Sequence, residues 1–277
     1  MKNIATIALV TLREAARRKI LWTALLAGAL LLGIFAIALR LQVVEFQSRA
    51  MSPFVRYQVE AGMLMIGLYT CDLLAVVLTI LTSIDTLAGE ISSGTIQAIA
   101  TKPISRSQLL MGKFIGFVGM IVVYVVITFN ATIAVAYSVT GVLPEHPLHG
   151  LLLIIFECII ALSLTFMFGT WFSTLTNGVI VLGLQAVAFM GGWLEQVSGV
   201  AQCVHSGMRV SVSSLINPSE SLWRRAAYEM QTPLAGSLSF SPFANVSIPS
   251  STAVLYAGVY LCVVLGIAIY HFDARDL

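Results

Sequence analysis

Charge is what this sequence has least of. Only 10% of its 277 residues are Asp, Glu, Lys or Arg, against about a quarter in an average soluble domain. The 15 basic and 13 acidic side chains leave a formal net charge of +2, too small for recognition carried by bulk electrostatics, so a nucleic-acid reader is disfavoured. Cysteine is scarce as well: Cys71, Cys158 and Cys262 fall in apolar runs and Cys203 in a polar segment. No disulfide framework follows, and buried cysteine as a small hydrophobe is the plain reading. Catalytic signatures are missing too: there is no G-x-x-x-x-G-K-[ST], H-E-x-x-H or G-x-S-x-G, and Gly112-Lys113 has no phosphate-cradling loop before it. The chain is therefore expected not to hydrolyse ATP itself and not to be an enzyme.

What fills the sequence instead is apolar: 58% hydrophobic residues and a mean hydropathy of +0.93. Disorder and an ordinary cytosolic enzyme are disfavoured by those values. A membrane span needs ~20 mostly apolar residues, and six such stretches occur, at 21–39, 63–88, 114–139, 151–172, 178–193 and 253–272. They are continuous runs without the alternation of a barrel strand, so the expected class is an all-α membrane protein, a single transmembrane domain of six spanning helices. The first run is too long for the core of a signal peptide.

The lysine and arginine balance sets the expected orientation. Lys2, Arg13, Arg17, Arg18, Lys19, Lys102, Arg106, Lys113 and Arg275 would lie inside, with Arg40, Arg49, Arg56, Arg209, Arg224 and Arg225 outside. Both termini are thus expected in the cytoplasm. Residues 1–19 form an amphipathic prelude: Lys2, Asn3, Thr6, Arg13, Glu14 and Arg17 on one side, Ile4, Ala5, Ala8, Leu12, Ala15 and Ala16 on the other, with Val10 the exception. It reads as an elbow helix in the inner interface.

Residues 89–113 form the longest polar break on the inner side. Gly94 can stop the preceding helix, Thr95 can cap a short helix, Pro103 ends it, and Ser105 caps the helix that continues into the third span. On the outer side stand 42–62, the loop 141–150 and a long segment at 194–252. Within that segment Asn217-Pro218 predicts a helix start, with Trp223, Ala226, Ala227 and Met230 on one face and Arg224, Arg225 and Glu229 off it. This helix is expected to rest on the outer membrane surface or on a partner.

A charge inside the bilayer is costly, which makes Asp72 and Glu157 an intramembrane polar site to examine. Structural pairing is the competing reading for both. Asp85 sits nearer the inner end, where Lys102 or Lys113 can pair with it. Asn130 and Gln185 are expected to hydrogen-bond between helices. Cys203, His205 and Met208, and the pair His146 and His149, are weak copper-ligand sets. Cys203 and His205 point to different helix faces and Pro147 interrupts the histidine pair, so no metal site is expected.

The chain resembles a type-2 ATP-binding-cassette exporter permease. The match is carried by Glu90, Gly94, Thr95, Lys102, Pro103, Ile104, Ser105, Arg106, Gly112 and Lys113, supported by Arg17-Arg18-Lys19 and by the closing Phe272-Asp273-Ala274-Arg275-Asp276-Leu277. The length and Asn217-Pro218 are similar to the permease subgroup of nitrous-oxide-reductase maturation. The resemblance implies a homodimer whose 89–113 region docks as a coupling helix in two copies of a separate ATPase, which would bind the ATP and magnesium. Glu90, Gly94, Thr95, Lys102, Pro103, Ser105, Arg106 and Lys113 would form or brace that contact. Membrane lipids and an outer partner complete the expected neighbours. The cargo favoured by the apolar spans is lipid-like or amphipathic, or the machine moves an outer partner. The alternatives are a metal or sulfur species for cofactor assembly and a non-transporting scaffold.

Overall fold

The computed structural model describes residues 2–17, 19–48, 52–92, 105–201, 215–231 and 250–274. Among the described residues there is no strand, and the helices are α1 (Lys2–Arg17), α2 (Lys19–Ser48), α3 (Pro53–Ser92), α4 (Arg106–Thr140), α5 (Pro147–Gly169), α6 (Thr174–Ala201), α7 (Ser219–Met230) and α8 (Ser251–Ala274). Six of them, α2 to α6 and α8, are long and apolar enough to cross a membrane. The protein is an all-α, multi-pass membrane protein.

The helices overrun the expected apolar runs. α3 has 40 residues, about 60 Å at ~1.5 Å per residue, roughly twice the hydrocarbon thickness. Helix continues past the apolar stretch because its mixed flank 54–60, with Arg56, Gln58 and Glu60, keeps the i to i−4 hydrogen bonds without needing lipid. At α5 the difference is opposite: it ends at Gly169 rather than 172, where Thr170 N donates to Met167 O and Trp171 N to Phe168 O. α6 then begins at Thr174, four residues earlier than expected, pinned by Asn177, whose Nδ2 donates to Thr165 O at 3.0 Å and Ile84 O at 3.4 Å.

The spans alternate in direction, so two ends of the bundle can be told apart. At the end nearer the termini, Arg106 Nη1 donates to Asp273 O at 3.3 Å and the rings of Trp171 and His271 stand 4.9 Å apart. At the distal end α4 stops at Gly141, which takes φ 73° and donates its N–H to Tyr137 O, a left-handed cap that other residues adopt at a cost. Ser105 opens α4 as expected, its hydroxyl accepting from Gln108 N at 3.4 Å.

α3, α4 and α5 form the centre, and α2 and α8 are the most peripheral spans. Phe166 of α5 takes Phe114 and Phe117 of α4 edge-on at 5.5 and 6.1 Å. Buried hydroxyls in this core, including Thr79, Thr82, Ser83 and Thr165, donate to carbonyls one turn back in their own helix, so they present methyl or methylene surface to their neighbours.

The amphipathic prelude is helical as expected, and α1 packs along the first turns of α4. Gly112 and Gly116, four apart, let the backbones approach: a Cβ at Gly112 would come 2.7 Å from Ile7 Cβ, and one at Gly116 2.8 Å from Ala8 O. This is the small-xxx-small contact of membrane helices. Thr11 is buried against it.

Candidate functional site

The two intramembrane acids are both deeply buried. Asp72 in α3 and Glu157 in α5 are each 3% exposed. Glu157 is the eleventh residue of α5, so it lies about 15 Å along the helix from the distal end, near mid-depth. Its Oε1 accepts from Gln185 Nε2 at 3.3 Å. Gln185 Oε1 in turn accepts from Asn217 Nδ2 at 3.0 Å. Asn217 Oδ1 then accepts from the Ser219 backbone N at 3.2 Å and from the Ser219 hydroxyl at 2.8 Å. A hydrogen-bonded chain therefore runs from the middle of the bundle to the first turn of α7.

Depth markers on three helices agree about where that chain ends. Gln185 is the twelfth residue of α6, and Tyr260 the tenth of α8. Tyr260 donates its phenol to Ile216 O at 2.8 Å and Tyr256 donates to Leu215 O at 2.5 Å. The non-helical backbone around 217–218 thus reaches well into the span region, its carbonyls supplied with phenolic donors, as irregular chain at membrane depth must be. From there α7 climbs back beside α5 to the distal end, where Glu145 N donates to Met230 O at 3.3 Å.

This corrects the expected surface helix: α7 is re-entrant and packed between spans. Trp223, Ala226, Ala227 and Met230 are buried, as the apolar face predicts, but so are Ser219, Ser221, Leu222 and Arg224. Trp223 packs against Tyr69 of α3, the rings tilted at 49° with centroids 4.9 Å apart. Two bare glycines make room at its ends, Gly150 beside Met230 and Gly192 beside Glu220; a Cβ at either would collide with those side chains. Arg225, by contrast, pairs with Glu229 at 2.5 Å and lies 5.5 Å over the Tyr228 ring on the half-buried edge. The helix also begins one residue later than the sequence predicts. Pro218 is the N-cap residue, without a side-chain cap, and Asn217 Oδ1 accepts from Ser219 N just ahead of the helix.

Glu157 lies within electrostatic range of Asp72 and, separately, of Glu220 in the first turn of α7. The N-terminal end of a helix carries partial positive charge, which favours acids beside it. Among the described residues, Asp72 Oδ1 and Glu157 Oε2 have no hydrogen-bond partner. Gln185 fulfils its expected role between helices, whereas Asn130 does not: its Nδ2 donates to Val126 O of its own helix at 2.7 Å. Asp85 Oδ1 accepts from Thr174 Oγ1 at 3.2 Å.

Ser105, Arg106 and Lys113 are described at the start of α4, and Lys113 is buried. Gly94, Thr95, Lys102 and Pro103 lie outside the described residues, as does the side chain of Glu90. Cys203, His205 and Met208 lie outside them as well. Among the described residues no group of three His, Cys, Asp or Glu side chains has the arrangement to hold a metal ion. The rings of His146 and His149 do meet, at 5.7 Å, because Pro147 starts α5 rather than separating them.

Asn217, Ser219, Tyr256 and Tyr260 are the members of this site that sequence reasoning did not join to the buried acids. Ser219, Ala226 and Ala227 were the available signal, small residues that permit close approach to another helix.

A family model described as ABC-2 family transporter protein matches residues 4–277. No curated protein matches the chain.

Proposed function

The chain belongs to the ABC-2 transporter family, is a membrane permease subunit of the kind that works with a separate ATPase, and from that premise we propose that it is an exporter or mechanotransmitter. ATP hydrolysis on two ATPase copies, which hold the nucleotide and magnesium, would drive movement of a lipid-like or amphipathic cargo or of an outer partner. The reading takes a pair of these chains in a bacterial or archaeal cytoplasmic membrane, termini inward, with Glu90, Gly94, Thr95, Lys102, Pro103, Ser105, Arg106 and Lys113 at the ATPase contact.

The observation that carries it is the chain Glu157, Gln185, Asn217, Ser219. Segment 89–113 joins α3 to α4, so a push there acts on the two helices that pack around α5. α5 and α6 hold α7 by buried contacts and by that chain, and α7 lies between the stretches 202–214 and 232–249. Displacement of the spans is thereby passed to the far side as movement of a rigid helix. The interior contacts are mostly apolar, which excludes ions at several kcal/mol each and suits an amphipathic cargo or mechanical work.

The test is ATPase stimulation of the intact complex in lipid discs, comparing candidate lipids with copper and with sulfide. Stimulation by lipids, lowered by Asn217→Ala, is expected. Stimulation by metal alone, abolished by changing Cys203 and His205, would instead establish the cofactor-assembly reading.

A further inference from the structure

Away from the buried acids, α2, α3 and α4 enclose a groove of about 230 Å³. Ile34 of α2 and Ile66 of α3 both line it and are both exposed, so it opens laterally at the bundle surface. Its floor is apolar even where the sequence is not. Thr70, Thr128 and Thr132 donate their hydroxyls to Ile66 O, Tyr124 O and Thr128 O at 2.8 to 2.9 Å, within their own helices. Those three hydroxyl protons are held within the helices, so the lining offers a polar ligand no threonine donor, and apart from Cys71 the rest of it is apolar. Gly67 shapes it: the ring of Phe35 lies so near that a Cβ there would come within 2.6 Å.

Position and dimensions select the occupant. Along α2 the lining runs from Gly28 to Ala38, ten steps along the helix or about 15 Å, half of the ~30 Å hydrocarbon core. Its distal mouth, at Ala38 and Met63, lies at the end of α2's apolar run. One and two turns further along α3, Glu60 is buried and holds Arg56 Nε at 2.7 Å, while the Arg56 side chain stays 41% exposed. Two turns along α3 put the exposed guanidinium about 10 Å beyond the mouth, at the depth where the phosphate of a lipid whose chain fills the slot would lie. A slot running along the helix axis at hydrocarbon depth and open to the side suits a single hydrocarbon chain, which the surrounding bilayer supplies.

We propose that this groove is a binding site for one acyl chain of a glycerophospholipid drawn from the leaflet at the distal end, with its phosphate at Arg56. The site is independent of what the transporter moves, since it requires only that these spans lie in a bilayer.

The experiment uses the full chain in discs of phosphatidylethanolamine and phosphatidylglycerol, doped with phospholipids carrying a diazirine at one chain position, without nucleotide. Peptide mapping after illumination should find adducts on the facing stretches 28–38 and 63–74. A diazirine near the headgroup should mark Ala38 and Met63, and one near the chain end Gly28 and Leu74. Ala38→Trp and Ile66→Trp, both in the lining, should each cut these adducts at least fivefold, while Leu26→Trp, on the opposite face of α2, leaves them unchanged. Arg56→Gln should lower the yield about threefold. The proposal is overturned if unsubstituted protein shows adducts at the groove no denser than at Leu255 and Val259 of α8, or if the depth order is reversed. It is equally overturned if both tryptophan variants, eluting as the unsubstituted protein does, label as before. Because no ATPase activity is read, failure here is separate from failure of the cargo reading.

Discussion

Two described helices, α1 and α7, are too short or too polar to span the membrane, and both are amphipathic, yet they are held in opposite ways. α1 lies on α4 through backbone proximity, with Ile7, Ala8 and Thr11 seated on Gly112 and Gly116. Nothing polar is needed for that contact, because the attraction is close packing of bare helix surfaces. α7 is seated by a large buried aromatic, Trp223, and by side-chain hydrogen bonds from α6 and α8 to the residues that precede it. A helix at the bundle edge can rely on shape alone, whereas one whose entry loop reaches membrane depth must have its polar groups answered.

The largest effect should come from removing the aromatic anchor of α7. Trp223 is 3% exposed and packs on Tyr69, so Trp223→Ala should cost about 3–5 kcal/mol, read as a lowered thermal midpoint in detergent. A change under about 1 kcal/mol would mean that α7 is not packed between spans. Next in size is the α1 contact. Gly116→Leu drives a side chain against the Ala8 carbonyl and should cost about 1–3 kcal/mol, with proteolysis near the N-terminus as a local readout. Gly119→Ala, whose added Cβ meets Leu12 at an ordinary 3.8 Å, is the paired control and should be close to neutral. Equal loss from both glycines would sink the claim that shape alone holds α1.

The comparison also explains what was legible beforehand. The six spans follow from apolar run length, a local property, and α1 follows from periodicity within sixteen residues. The burial of Asp72 and Glu157 follows from their place inside those runs. The position of α7 does not, because apart from the small residues Ser219, Ala226 and Ala227 nothing inside Ser219–Met230 distinguishes a helix lying on a surface from one wedged among spans. That decision is made by Gln185, Tyr256 and Tyr260, which lie 32, 41 and 44 residues from their partners in the chain. Arg224 misled for the same reason: an arginine reads as exposed until its surroundings are known, and here it is buried.

The polar chain should contribute less than the aromatic anchor. Interhelical hydrogen bonds in membranes average ~0.6 kcal/mol and reach ~1.7, so Asn217→Ala and Gln185→Ala should each cost on the order of 1 kcal/mol. Their effects should not add, since each breaks the same Gln185 to Asn217 bond. A double-mutant cycle measures this directly. Full additivity would show that the two side chains act separately and would leave α7 without its polar link to Glu157.

The smallest effect distinguishes the edge of α7 from its buried face. Arg225 and Glu229 pair one turn apart, with side chains 23% and 21% exposed, and Arg225 also covers Tyr228. If this edge meets water at the distal end, the pair gains little over separate hydration, and a cycle of Arg225→Ala with Glu229→Ala should give a coupling of about 0.3–1 kcal/mol. Added salt should reduce it, because exposed charges are screened within a Debye length of ~10 Å at 0.1 M. If the edge were instead pressed into hydrocarbon, each charge would depend on the other for its only solvation, and the coupling would exceed ~2 kcal/mol and ignore salt. A weak, salt-sensitive value therefore keeps α7 amphipathic in the sense its sequence predicts, with its apolar face turned into the bundle and its charged edge outward. A strong, salt-independent one would move the whole helix deeper than its contacts with Gly150 and Glu145 allow.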